Sequence, residues 1–158
     1  MTQIAFLIFV IYVGFILVRY PHIESISGSF YELQKTKKGF GALFTFWAWS
    51  QVFLLMPYLL ENTPEPFQIF AFLPCLGLGF VGAAPYFKEV SQSKVHFAGA
   101  GICLLGSLSW IIAFNPLIYT LISLIIYTFY LILYMFLPKK LVLLIELAAF
   151  TALYIVIL

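Results

Sequence analysis

An all-α integral membrane bundle of six transmembrane helices, with both termini outside, is the fold the sequence predicts, and three observations predict it. Only 9% of residues are charged, 64% are hydrophobic, and the mean hydropathy is +1.09; a water-facing surface needs about a quarter charged residues. The solvent of this chain is therefore lipid. Six apolar segments are long enough to cross hydrocarbon by helix, which takes about 20 residues. The basic residues, finally, fall only in alternate loops.

The segments run from Gln3 to Arg19, Gly39 to Leu60, Phe67 to Phe87, His96 to Asn115, Leu117 to Leu137 and Leu141 to Leu158. The first has no basic region ahead of it and no small-residue cleavage site behind it, so it reads as a retained helix and not a signal peptide. Helix-breaking punctuation separates the segments: Pro21 with serine-rich sequence, Pro64 and Pro66, a polar turn from Lys88 to Lys94, Asn115-Pro116, and Pro138-Lys139-Lys140. The last two joints are tight, which makes segments four, five and six antiparallel neighbours. Residues 1–158 are read as a single transmembrane helical domain.

Arg19, Lys35, Lys37 and Lys38 lie in the first loop, Lys88 and Lys94 in the third, and Lys139 and Lys140 in the fifth; these are all eight basic residues. The second loop carries only Glu61 and Glu65, and the fourth no charge. By the positive-inside rule the odd loops are cytoplasmic. The predicted location is a bacterial inner membrane or its equivalent.

Helices in lipid associate through small residues and scattered polar contacts. Ala71, Cys75, Gly79 and Ala83 form one stripe on the third segment. His96, Ala100, Cys103, Ser107 and Trp110 form one on the fourth, with Gly99 and Gly106 beside it, so these two helices are expected to cross closely. Thr120, Ser123, Tyr127, Tyr130 and Tyr134 share a face of the fifth that should be buried, opposite a Leu and Ile face for acyl chains. Pro74 and Pro85 should kink or end the third helix. Cys75 and Cys103 sit in apolar segments and read as small packing residues.

The polar stretch from Tyr20 to Lys38 is the likeliest ground for recognition or chemistry, because it concentrates ionisable groups in a chain almost without them. Candidate catalytic residues are Ser27, His96, Glu24 and Glu32; candidate binding residues are His22, Tyr31, Glu146 and Gln51. Glu146 is the most costly residue, since a carboxylate near the bilayer centre costs about 2.5–3.5 kcal/mol; it should face the bundle or a watery cavity, or else snorkel to the boundary about one to two turns away near Lys139 and Lys140 or take up a proton. His96 opens the fourth helix at the same end as the first loop, so the set can meet in one cytoplasm-facing pocket. Two histidines and a carboxylate would suffice for a catalytic zinc; serine beside histidine and glutamate would make a nucleophile set. No HExxH, GxSxG, CxxC or glycine-rich phosphate loop is present. Gln51 is expected to tie two helices together. A net charge of +2 without a basic run excludes nucleic acid as partner, and a lone intramembrane carboxylate argues against a pump.

Ser25-Ile26-Ser27 followed by Phe30-Tyr31, then Ala84-Pro85, then Val95-His96 and Ala98-Gly99-Ala100, resemble a group of uncharacterised small multi-pass membrane proteins of bacteria and their phages, over roughly Pro21 to Phe114. More remotely the layout is similar to that of the alkaline ceramidase and adiponectin-receptor superfamily of membrane-embedded hydrolases. That resemblance implies a serine, an aspartate and three histidines holding zinc. Only Ser27 and His96 match it, and the chain has no aspartate. No cofactor is assigned, and zinc is not favoured. The leading expectation is a bundle whose cytoplasmic pocket binds a lipid headgroup, small ligand or partner. The alternatives are a ceramidase-like lipid hydrolase, metal-dependent or not, and a subunit of a larger membrane complex. Membrane lipid is the expected partner, with a protein partner or a second copy of the chain as further candidates.

Overall fold

In a computed structural model residues 1–87 and 89–158 are described, with the side chains of 89–92 outside the description, and the regular structure among the described residues is all helix. Among the described residues the helices are α1 (Thr2–Arg19), α2 (Ser29–Thr36), α3 (Ala42–Glu61), α4 (Ile69–Ala83), α5 (Glu89–Phe114), α6 (Leu117–Phe136) and α7 (Leu141–Ile157). Short 3-10 turns at Glu65–Phe67 and Ala84–Tyr86 extend α4 at both ends, and another at Pro138–Lys140 leads into α7. Six of these stretches are long and apolar enough to cross a membrane: α1, α3, Glu65–Tyr86, Ser93–Phe114, α6 and Pro138–Ile157. A helix satisfies its own backbone, which is what hydrocarbon demands of any spanning segment.

Two boundaries differ from the sequence reading. α5 starts at Glu89, well before His96, because no Gly or Pro interrupts residues 89–95 and a polar helix can continue into the interfacial region. The expected polar turn is thus largely helical, and Lys88 lies outside the described residues. Within the first loop, Ser29–Thr36 forms α2, an amphipathic helix that buries Ser29 and Leu33 and exposes Lys35. Tyr12 of α1 shares a 2.6 Å hydrogen bond with Ser29, and Tyr20 one of 2.7 Å with Thr36, so α2 is strapped to the end of α1.

α4 and α5 form the closest pair. A Cβ on Gly77 would stand 2.3 Å from the Cys103 backbone nitrogen and 2.5 Å from the Gly99 carbonyl oxygen. Gly106 of α5 packs on the backbone nitrogen and ring of Pro74, which stays inside α4, whereas Pro85 lies in the turn that ends this span. Gly79 and Gly82 face α3, against Trp49 and Ala48. α1 packs on α3 and α7, and α7 also meets α5 and α6. α6 is peripheral: only 6% of its span is buried. Its Ser123 is buried, Tyr127, Tyr130 and Tyr134 are half-buried, and Leu121, Leu124, Ile125 and Ile132 are exposed, so the hydroxyl face turns inward.

The loops joining α1 to α3, α4 to α5 and α6 to α7 meet at one end of the bundle. The Leu143 N–H donates to the Glu24 carbonyl at 2.9 Å, Lys140 Nζ donates to the Pro21 carbonyl, and Phe30 meets Tyr86 edge to face. At the opposite end Trp110 Nε1 donates to Thr63 Oγ1 at 2.7 Å, and Phe6 of α1 packs on Tyr154 of α7. The basic residues among those described, Arg19, Lys35, Lys37, Lys38, Lys94, Lys139 and Lys140, belong to the first end.

Candidate functional site

Glu146 sits five residues beyond Leu141, about 7.5 Å along the helix axis from the start of α7. That depth leaves little water to solvate a carboxylate, and the side chain finds protein partners instead. Its Oε2 accepts the Ile26 N–H at 2.5 Å and its Oε1 accepts the Ser27 hydroxyl at 3.1 Å. Hydrogen bonding of this kind is what makes a buried charged or polar group tolerable. Together with the Leu143 bond to Glu24, it fastens the loop before α2 onto the first two turns of α7.

His96 closes the arrangement from α5. Its Nε2 lies 3.3 Å from Ser27 Oγ. The Ser27 side chain, only 6% exposed, thus stands between an imidazole and a carboxylate. The Ser25 hydroxyl, 3.2 Å from Ser27 Oγ, accepts the Gly28 N–H at 2.9 Å and shapes the turn that presents Ser27. A hydroxyl has one proton, so Ser27 can donate to only one neighbour at a time and must accept from, or merely contact, the others.

Two hollows meet at this point. One, of about 250 Å³, is walled by apolar side chains of α3, α4, α5 and α7, including Trp47, Leu78, Leu104 and Phe150, and has Ser27, His96 and Glu146 at one end. Its rim includes Phe97 on α5 and Val142 and Ile145 on α7, all exposed, so it opens sideways between these two helices. The other, of about 340 Å³, is a more polar vestibule bounded by Ser25, Ser27, Tyr31, Ser93 and His96. Ser27 and His96 line both.

Tyr31 apart, the remaining sequence candidates lie elsewhere. The Glu24 side chain is exposed, and only its carbonyl takes part, in the bond from Leu143. Glu32 turns away on α2: Lys35 Nζ donates to it at 2.8 Å and His22 Nε2 is 3.5 Å away. The Lys35 hydrogen bond holds the Glu32 carboxyl below the ordinary carboxylate range. His22, with its side chain 68% exposed, pairs with Glu32 and not with His96. Tyr31 forms part of the vestibule wall. Gln51 is fully buried in mid-α3, where Nε2 donates to the Ala5 carbonyl at 3.1 Å and Oε1 accepts the Tyr154 hydroxyl, so it joins α1, α3 and α7. Tyr154 was not singled out by sequence, since its chain neighbours Leu153 and Ile155 are aliphatic and carry no polar signal. The cavity walls were not foreseen either, although Ala100, Gly101 and Ala149 supplied the signal: small residues on two helices that do not press together leave room.

The donor set does not fit the zinc that the family resemblance implies. A catalytic zinc takes three protein ligands and keeps a position open, and the site offers one imidazole and one carboxylate. Among the described residues no three His, Cys, Asp or Glu side chains gather to hold a metal. Comparison with protein-family models, curated proteins and solved structures finds no match for this chain.

Proposed function

We propose that this multi-pass membrane protein binds a membrane lipid, with an acyl chain in the hollow between α5 and α7 and the polar linkage and headgroup at Ser27, His96 and the vestibule. The observation that carries the reading is the junction itself: an apolar cavity with exposed apolar residues at its rim meets a buried cluster of hydroxyl, imidazole and carboxylate. Ligand sites characteristically combine an apolar wall with a few placed polar groups. A lipid already in the bilayer needs only lateral movement to reach an opening between two spans. By the positive-inside rule, the end bearing the vestibule and the basic residues among those described faces the cytoplasm, where anionic headgroups are attracted by about 1 kcal/mol per nearby Lys or Arg.

The test is photocrosslinking of the full chain, reconstituted in vesicles of phosphatidylglycerol and phosphatidylethanolamine, with a phosphatidylcholine bearing a diazirine on its acyl chain. Crosslinks per residue should be at least five-fold denser on residues 97–104 and 142–150 than on the outward face of α6. Ala149→Trp, which fills the cavity from α7, should remove the excess. An even spread of crosslinks over all lipid-facing helices in the unaltered protein would sink the reading.

A further inference from the structure

We infer that Ser27 is a nucleophile and that the site transfers the acyl group of a fatty-acyl ester first to Ser27 and then to water, an activity that rests on the lipid-binding reading above. Serine has no nucleophilic strength unless a base lies within hydrogen-bond reach and something holds the pair in register. Both conditions are met by groups from three separate parts of the chain. Ser27 Oγ is 3.3 Å from His96 Nε2, within the looser range such contacts show before substrate arrives. The Ser27 turn is pinned from α7 by the bonds from Ile26 N–H to Glu146 and from Leu143 N–H to the Glu24 carbonyl.

The two hollows assign the roles. Glu146 lines only the apolar cavity; one of its oxygens is held by the Ile26 N–H and the other accepts the Ser27 hydroxyl in the resting site, a proton that turns to His96 when the ester arrives. It is a positioning residue that fixes the Ser27 turn. His96 lines the apolar cavity and the vestibule alike, so it reaches both the nucleophile and the place where a headgroup would leave. It is the proton carrier, in the tautomer that holds its proton on Nδ1.

With the chain in the cavity, the ester carbonyl arrives at Ser27. The Ser27 proton passes to His96 Nε2 as an Oγ–C bond forms. The bond from the carbonyl carbon to the headgroup-side oxygen then breaks, and that oxygen takes the proton from His96 and departs as an alcohol through the vestibule. A water molecule entering by the same route attacks the acyl-serine, giving a proton to His96 Nε2; the bond from the acyl carbon to Ser27 Oγ then breaks, and Oγ takes that proton back. The products are a fatty acid and a free Ser27, and the sum is ester plus water giving acid plus alcohol. The Ser25 hydroxyl, which borders the vestibule 3.2 Å from Ser27 Oγ and in the resting site is the alternative acceptor to Glu146 for the Ser27 proton, turns its own proton toward the oxyanion.

The experiment exposes the reconstituted full chain to a long-chain alkyl fluorophosphonate and maps the adduct by mass spectrometry, while release of fatty acid is followed from a fluorescent acyl-ester lipid. Labelling should fall on Ser27 and vanish in Ser27→Ala. His96→Gln should slow both labelling and release by at least about 100-fold. Glu146→Gln, which keeps an acceptor for the Ile26 N–H, should retain at least ten-fold more activity than Glu146→Ala; equal loss in the two would overturn the positioning role. Diazirine-lipid crosslinking is run on every variant, so a misfolded protein is recognised by losing the cavity signal. A protein that still crosslinks lipid in the cavity but neither labels at Ser27 nor releases fatty acid overturns the acyl-transfer inference and leaves lipid binding standing. Loss of both signals in the unaltered protein removes both.

Discussion

At the scale of single residues, the cost of placing polar groups in hydrocarbon decides where they go. Gln51 illustrates this away from the candidate site: in mid-helix it bonds the Ala5 carbonyl with its amide N–H and the Tyr154 hydroxyl with its oxygen. Its burial was legible in the sequence because an amide amid Trp, Phe and Leu has no cheaper position. Its partner was not, because a tyrosine in a membrane helix is as often an interfacial anchor as a buried donor. Interhelical hydrogen bonds in membranes average about 0.6 kcal/mol and reach about 1.7. Gln51→Leu and Tyr154→Phe should therefore each lower stability, and the double variant should lose less than the sum by about 0.6–1.7 kcal/mol, since both break one shared bond. Reversible unfolding in mixed micelles measures the cycle. Simple additivity would mean that the two side chains act independently.

At the scale of elements, close approach of backbones is what lets α4 and α5 pair, and the sequence announced it. The stripe of Ala100 and Cys103 with Gly99 and Gly106 beside it marked the surface of α5, but on α4 the contact runs through Gly77, outside the expected stripe of Ala71, Cys75, Gly79 and Ala83, and Gly79 instead meets α3. The error is physical: α4 is buried between two helices, so small residues lie on two faces and a single stripe cannot describe it. α2 escaped notice for a different reason, since eight residues carry too little periodicity to separate an amphipathic helix from a polar loop. The α4–α5 contact is testable through Gly77. A methyl there would meet backbone atoms of Cys103 and Gly99, which cannot swing aside as a side chain could. Gly77→Ala should cost at least about 2 kcal/mol by overpacking, whereas Gly14→Ala, whose new methyl meets nothing within 4 Å, should be neutral or mildly stabilising. Equal behaviour of the two in detergent unfolding would refute the close crossing. An α4–α5 separation large enough to hold the methyl would also move His96 relative to Ser27, so Gly77→Ala should weaken any signal from the site as well.

At the scale of the whole molecule, the distribution of charge and the convergence of the loops are two independent features that agree. Hydropathy gave six spans, and the alternation of basic residues required an even number between the two ends; the packing of the first, third and fifth spanning-segment connections against one another is the three-dimensional form of that parity. The meeting of Ser27, His96 and Glu146 was legible only to this level. Sequence could place all three at one end, because Glu146 and His96 begin their spans there, but the distance of Ser27 from each depends on a loop clasped to α7 by backbone bonds that no residue pattern encodes. The membrane orientation carries a prediction of its own. Green fluorescent protein folds in the cytoplasm and fails after export, so fusions truncated after Lys38, Lys94 or Lys140 should fluoresce, while a fusion to Leu158 should not. Alkaline phosphatase, active only after export, should give the reverse. Because basic residues within a short loop set topology far more strongly than acidic ones, replacing Lys139 and Lys140 together with Gln should leave the C-terminal reporter outside only partly, and the vestibule set by the first and third loops should persist. A fluorescent Leu158 fusion in the unaltered chain would invert the bundle, put the vestibule on the outer face, and redirect the search for its lipid to the outer leaflet.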